Sequence, residues 1–277
     1  MTIRPINPRD HAAVLELINA DRLEGQPECS LEMLRSALRG QSSVDDACWC
    51  ELSDLRTIVV EAHGRVAGAM SFARHKKTGD YAIAWLHACE NGVVISDLID
   101  HIDVRAREKG HGIQAFHLAT NLTAGLEALP ARHRETTLRS FHGYGFGHED
   151  ISSYMVLASK AGRTPDPAIA VTKQEPSRWT LELWAGSQLA GSAEIGWLYG
   201  TGVIWHLEVG HEHRGQGHGR RLATCASSLL LEYASSVILC VGHDCGGARD
   251  CSRAKHLYAS LGFVQVDTLV SLTKCQV

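Results

Sequence analysis

The sequence predicts an α/β protein built from two related units in tandem. Apolar stretches of strand length alternate with stretches of helical period along all 277 residues. The order of elements in the first half partly returns in the second, where Leu189-Ala190-Gly191-Ser192 answers Val66-Ala67-Gly68-Ala69 in a similar hairpin. Between the halves, residues 159–167 (Ser-Lys-Ala-Gly-Arg-Thr-Pro-Asp-Pro) have the composition of a linker. These observations put one domain at 1–160 and the other at 161–277.

The elements follow from local chemistry. Residues 3–5 open a short strand. Asn7, Pro8 and Asp10 then supply an N-cap, a first-turn proline and a first-turn acid for a helix with Val14, Leu15, Leu17 and Ile18 on its apolar face. A second helix is expected over 31–38, entered from Ser30 and ended near Gly40. Strands at 57–61 and 65–72 flank a turn at His63-Gly64, and 81–88 makes another strand. A helix over 95–108 turns Leu98, Ile99 and Ile102 inward. A strand at 113–119, a helix at 135–142 and a strand at 153–157 close the first unit. The second begins with a hairpin, 179–185 and 189–199, and only about fifteen residues precede it, too few for two opening helices. Then come a strand at 203–209, a helix at 220–235, a strand at 237–241, a helix at 253–260 and a last strand near 264–266 continuing through 269–272.

Composition excludes several classes. A net charge of −4 argues against a dedicated nucleic-acid binder. No apolar run reaches the roughly 20 residues of a membrane span, and the first residues carry no signal-peptide core. The nine cysteines are odd in number and partly in apolar stretches, which fits reduced thiols and a cytoplasmic protein. The one metal-like cluster, Cys240, His243, Cys245 and Cys251, matches no standard zinc spacing, so no metal is expected.

The chemistry concentrates after the 203–209 strand. Arg214-Gly215-Gln216-Gly217-His218-Gly219 joins that strand to a helix, and its glycines let a phosphate approach the main chain. The unpaired N–H groups and dipole of the helix start complete an anion site, with Arg214 adding charge. The spacing is neither the dinucleotide pattern nor a Walker A loop.

Arg-x-x-Gly-x-Gly after a strand ending Leu-x-Val resembles the acetyl-CoA loop of the GCN5-related N-acetyltransferases (GNAT). Forty residues on, Ala254-Lys255-His256-Leu257-Tyr258-Ala259-Ser260-Leu261-Gly262-Phe263 matches that family's Ala-x-x-Leu-Tyr-x-x-Leu-Gly-Phe. The resemblance covers 178–274 and implies mixed, mostly antiparallel sheets flanked by helices. It further implies that Arg214, Gly215, Gln216, Gly217, His218 and Gly219 hold the pyrophosphate of acetyl-CoA, and that main-chain groups of Leu207 to Val209 pair with the pantetheine arm. The Val209 N–H is then placed near the thioester oxygen, and the Tyr258 hydroxyl near the sulfur as general acid. Family members often carry Asn where Cys251 stands, so Cys251 is either a packing residue or a substituted ligand.

The first half resembles the family by element order and carries a decoy. Arg107-Glu108-Lys109-Gly110-His111-Gly112 fits the loop pattern, but it ends a helix and precedes a strand, which makes Gly110 a C-cap. The equivalent of the working loop is Cys89-Glu90-Asn91-Gly92-Val93-Val94, with one glycine, no arginine and an acid. The first domain is therefore expected not to bind acetyl-CoA.

Acyl transfer to an amine also needs a route for the amine proton. Glu208 and His206 share one face of the 203–209 strand and are candidate bases; His243, Asp244 and Asp250 follow the next strand. The expected function is acetyl-CoA-dependent N-acetylation of a primary amine of a metabolite or amine-bearing antibiotic, by direct attack in a ternary complex. The expected partners are a small-molecule acceptor, with no nucleic acid or membrane, in a monomer or homodimer. The alternatives are a non-catalytic acetyl-CoA sensor and a protein or peptide N-acetyltransferase.

Overall fold

A computed structural model describes residues 1–42, 46–120, 122, 128–158, 166–242 and 251–275. The chain divides into two compact units, one holding residues 1–23, 28–151 and 267–277, the other 24–27 and 152–266.

The elements run β1 (Thr2–Pro5), a one-turn 3-10 helix (Pro8–Asp10), α1 (His11–Ala20), α2 (Leu31–Leu38), α3 (Asp46–Cys50), β2 (Leu52–Ala62), β3 (Arg65–His75), β4 (Tyr81–His87), α4 (Gly92–Lys109), β5 (Ile113–Ala115), β6 (Leu129–Pro130), α5 (Glu135–Gly143) and β7 (Gly147–Leu157). Next are β8 (Ile169–Glu175), β9 (Arg178–Ala185), β10 (Gln188–Leu198), β11 (Thr201–Val209), a 3-10 turn (His211–His213), α6 (His218–Leu230), β12 (Val237–Gly242), α7 (Ser252–Ser260) and β13 (Val264–Lys274).

In the first unit the strands lie in the order β1-β2-β3-β4-β5-β13. The expected caps form. The Asn7 side chain accepts from Arg9 N at 3.1 Å, and the Ser30 hydroxyl accepts from Met33 N at 3.2 Å. Helices α1 and α2 bury Val14, Ile18, Met33, Leu34 and Ala37 against one sheet face, with Val59, Ala69, Ala84 and Trp85 opposite. Helices α4 and α5 cover the other face with Ile95, Leu98, Ile99, Ile102 and Phe141, over Ile58, Met70, Phe72 and Leu86.

In the second unit the order is β7-β12-β11-β10-β9-β8. Helices α6 and α7 place Leu222, Ala223, Ala226, Leu230 and Tyr258 on one face, against Leu181, Ala193, Ile195, Ile204 and Leu239. Among the described residues no helix lies between β7 and β9, where a counterpart of α1 and α2 would fall. Edge strand β8 occupies that length of chain instead.

The repeat seen in sequence has a structural meaning. Ala67 and Ala190 are bulge residues at matching places: Val60 faces Gly68 while Glu61 faces Val66, and Leu183 faces Gly191 while Trp184 faces Leu189. Each glycine beside a bulge lets the next helix close on the strand. A Cβ on Gly68 would meet Val94 at 2.5 Å, and one on Gly191 would meet the Glu208 carbonyl at 2.6 Å and Leu222 at 3.0 Å.

Several expectations need correction. The 153–157 strand does not close the first unit; it pairs antiparallel with β12, from Val237↔Leu157 to Gly242↔Ser152. The end of the last strand serves the first unit, with Leu272↔Ala115 and Lys274↔Ile113. The units therefore do not follow the expected boundary at 160/161. The buried Asp267 fixes the strand where it enters the first unit, accepting from His133 N at 2.9 Å and Arg132 N at 3.1 Å. The strand expected at 113–119 stops at Ala115, where the ladder to β4 ends. The 220–235 helix spans His218–Leu230 instead, with Gly217 as N-cap. Three short or exposed elements, α3, β6 and β8, carry no clear signal in the sequence. The expected linker lies mostly outside the described residues.

Candidate active site

Strand β11 is paired with β10 along its length, from Leu198↔Thr201 to Gly191↔Val209. Its parallel ladder with β12 is short: Gly202↔Val237, Val203↔Ile238 and Ile204↔Leu239. It stops at a bulge, because Ile195 faces Ile204 while Glu194 faces His206, leaving Trp205 extra. The Trp205 ring lies over Gly196, where an added Cβ would come within 2.0 Å of it. The Arg178 guanidinium sits 4.8 Å from the ring centre. Past the bulge no ladder joins β11 to β12 among the described residues.

Alternation sorts the side chains of this stretch. Leu207 and Val209 pack on the core beneath α6. His206 and Glu208 lie on the opposite face, both exposed, with Nε2 and Oε2 3.5 Å apart. Glu194 stands opposite His206 and Ser192 opposite Glu208, and Glu182 is opposite Ser192 on the next strand. This face has three carboxylates within three strands.

The loop that follows is braced by its own side chains. The Arg214 guanidinium Nε donates to the Val209 carbonyl at 3.2 Å, and the Gln216 amide donates to the Glu212 carbonyl at 3.2 Å. Gly215 and Gly217 have φ of +77° and +84°, in the left-handed region that glycine enters at no cost. A Cβ on either would meet open space. The backbone bond from Arg221 N to the Gly217 carbonyl (3.1 Å) is the start of the α6 ladder. The N–H groups of His218, Gly219 and Arg220 thus have no carbonyl one turn back, and Gly217 offers no side chain to cap them. A Cβ on Gly219 would sit 3.4 Å from Leu257 and 3.6 Å from Val209, so α6 lies close to both β11 and α7. Both ring nitrogens of His218 are buried and unbonded among the described residues, with the His213 ring 6.1 Å away.

Helix α7 brings Tyr258 into this core. The residue is buried, its ring is edge-on to Phe263 at 5.5 Å, and burial pushes the phenol up to about 12. Its hydroxyl has no hydrogen bond to another described residue. Arg220 ties α6 to α7 through the Ser260 hydroxyl at 2.6 Å. Cys251 is the N-cap of α7, half-buried against the same core. His243, Asp244, Cys245 and Asp250 lie outside the described residues. Among the described residues no group of His, Cys, Asp and Glu is arranged to hold a metal.

Residues 148–263 match the acetyltransferase (GNAT) family. That match falls in the second half of the chain. The fold of the whole chain is similar to a tandem GNAT protein from the clavulanic acid biosynthesis pathway, at 14% identity and a TM-score of 0.67, covering 99% of this chain and 98% of that one. It is also similar to a GCN5-related N-acetyltransferase from Sphaerobacter thermophilus (13% identity, TM-score 0.62, 99% and 95% covered). A third similar structure is a GNAT-family acetyltransferase from Colwellia psychrerythraea (10%, TM-score 0.55, 100% of both chains). No curated protein matches the sequence.

The first GNAT-like unit repeats the frame with different contents. Ala84 bulges from β4 as Trp205 does from β11, and the β4–β5 ladder ends one residue earlier, at Ile83↔Ala115. Here a side chain of the chain itself bonds the strand edge. Arg134, 3% exposed, donates to the Leu86 carbonyl at 2.9 Å, and Leu86 is the counterpart of Leu207. It also pairs with Glu90 at 2.9 Å and Asp21 at 3.4 Å. Glu90 accepts from Thr136 N at 2.6 Å and Thr137 N at 3.0 Å. The Asn91 side chain accepts from Val93 N (3.2 Å) and Val94 N (3.3 Å), which occupies N–H groups at the start of α4. Sequence reasoning missed Arg134, since nothing local distinguishes it from a surface arginine. In the decoy, Gly110 is the left-handed C-cap of α4 with φ +67°, and Gly112 N donates to Asp80 at 2.8 Å.

Proposed function

We propose that the second unit is an acetyl-CoA-dependent N-acetyltransferase that acetylates a primary amine of a small molecule by direct attack in a ternary complex. The observation that carries this reading is that the end of β11, with no ladder to β12 past Ile204 among the described residues, leads through the glycine loop to the uncapped N–H groups of α6. One takes an extended arm and the other an anion. Open space at Gly215 and Gly217 fits a pyrophosphate held by 214–219, and main-chain groups of Leu207 and Val209 would pair with the pantetheine arm. Acetyl-CoA would supply the acyl group as a thioester.

The chain's own groups then divide the proton work. A phenol held near 12 stays protonated at neutral pH, so Tyr258 can give its proton to a leaving thiolate. His206 and Glu208, exposed and 3.5 Å apart, can take the proton an ammonium must lose before its nitrogen attacks. Glu182 and Glu194 on the same face favour an acceptor that arrives as a cation. Cys251, at the start of α7, would lie beside the arm. In the first unit Arg134 and Glu90 occupy the corresponding strand edge and Asn91 caps the helix start, which supports a supporting role without acetyl-CoA. The eight described cysteines are free thiols, in keeping with a cytoplasmic protein.

The test is thiol release from acetyl-CoA with a panel of small amines. Turnover is expected with at least one cationic amine, and Tyr258→Phe should lower kcat about a hundredfold or more. If CoA binds but thiol release stays at background with every amine, and Tyr258→Phe changes nothing, the non-catalytic sensor reading replaces this one.

A further inference from the structure

A cavity of about 780 Å³ opens in the first unit beneath the C-terminal turns of α4. Its volume is in the range of small-molecule sites. The floor is apolar and aromatic: Ile3, Ile58, Phe72 and Tyr81. The Phe72 and Tyr81 rings are 6.3 Å apart, and the Arg74 guanidinium stands 5.7 Å from the Tyr81 centre.

The rim is cationic. His101, Arg105 and Glu108 fall at i, i+4 and i+7 on α4, one stripe beside its buried face, and Lys109 extends it. Arg56 and Arg74 project from the strands across from it, with Asp54 at the edge. Arg4 also lines the cavity, but it is already neutralised by Asp10 at 2.6 Å and Glu61 at 2.9 Å. That leaves Arg56, Arg74, Arg105 and Lys109 against Asp54 and Glu108, a local excess of positive charge in a chain whose net charge is −4. The Arg56 and Lys109 side chains have no hydrogen bond or ion pair with another described residue. The acetyl-transfer reading uses none of these groups.

We propose that this cavity binds an organic anion with a planar apolar body, of the class of aromatic carboxylates and sulfonates. The Phe72 and Tyr81 rings are tilted 57° to one another and only 5% and 4% exposed, so the apolar body meets the small exposed part of each, and the anionic group meets Arg56 and Lys109, with Arg105 beside them. Burial of the body against the rings gives affinity, and the unpaired cations select for charge.

The probe is 8-anilinonaphthalene-1-sulfonate, titrated by fluorescence and calorimetry against the full chain. N-phenyl-1-naphthylamine serves as the ring system without the sulfonate. The sulfonate should bind one to one and more tightly than the neutral amine, and saturating CoA should not displace it. Arg56→Glu with Lys109→Glu should weaken the sulfonate about tenfold or more and leave the neutral probe within about twofold. All these side chains are exposed, so folding should survive. Should that double variant not fold, Arg105→Glu alone should still weaken the sulfonate severalfold. Unchanged sulfonate affinity in the folded variants, or displacement by CoA, overturns the proposal.

Discussion

Replacing Gly217 by alanine separates ligand geometry from stability. Gly217 has φ +84° and no heavy atom within 4 Å of an added Cβ. In the free protein the cost is therefore that of left-handed backbone alone, about 1–2 kcal/mol. For a domain of this size that lowers Tm by roughly 3–10 °C. The new methyl group stands where the α6 N–H groups open outward. A hydrogen bond to a charged group is worth about 1.5–3 kcal/mol, so loss of one or two should weaken CoA by roughly tenfold to ten-thousandfold. The matched control is Gly110→Ala, which imposes the same backbone penalty at φ +67°, at a helix end in the first unit. Calorimetric titration with CoA and a thermal scan on both variants decide the matter. Both should lose a few degrees of Tm, and only Gly217→Ala should lose CoA. If folded Gly217→Ala binds CoA within threefold of the parent, or if Gly110→Ala abolishes binding, the cradle has been placed wrongly.

Other outcomes follow from the same structure. Arg134→Met leaves the carboxylates of Asp21 and Glu90 without their guanidinium partner and should cost about 3–5 kcal/mol in denaturant unfolding. A loss below about 1 kcal/mol would mean the network carries little. The first unit should also be acid-sensitive. Burial holds the His87 imidazole below its ordinary 6.5, against the pull of Asp21. Burial alone would raise the Asp21 and Glu90 carboxyls. Hydrogen bonds from His87 and Thr137, and the nearby Arg134, hold them below their ordinary 3.8 and 4.5 instead. In each case the folded chain binds fewer protons than the unfolded chain, so stability falls as pH falls. The decline should begin below about 6.5 and steepen below about 4.5, and His87→Gln should flatten its first part in a Tm-against-pH series. Glu208→Gln should lower kcat with the preferred amine while CoA affinity in calorimetry stays within about twofold.

What the sequence made legible is what local chemistry writes. Asn7 and Ser30 cap helices because a short polar side chain before an apolar-periodic run has little else to do. The alternation in 203–209 was enough to put His206 and Glu208 on one face. Gly110 was recognisable as a helix stop, since it follows the last periodic turn. What stayed hidden depends on distant partners. Whether 153–157 pairs with the strands before it or with β12 is not written in its own residues, because either neighbour offers the same ladder. Nothing local marks Trp205 as other than an ordinary strand residue, for a bulge is a property of two strands in register. Strand β8 was missed because it lies at a sheet edge with six of its seven residues exposed and lacks alternation. Arg134 acquires its meaning from Leu86, Glu90 and Asp21, 44 residues or more away in sequence.

The crossed use of β7 and β13 has a consequence for how this chain is made. The first unit's sheet lacks a strand until residues 267–274 exist, although its helices are finished by residue 143. During synthesis its N-terminal part must leave the ribosome with the strand next to β5 absent, holding an open edge while the whole second unit emerges. Residues 24–27 and 152–157 meanwhile wait for partners not yet translated. Cutting the coding sequence at the apparent linker would strand each piece without a segment it needs, and a ribosome stalled inside the second unit would leave the first one unfinished.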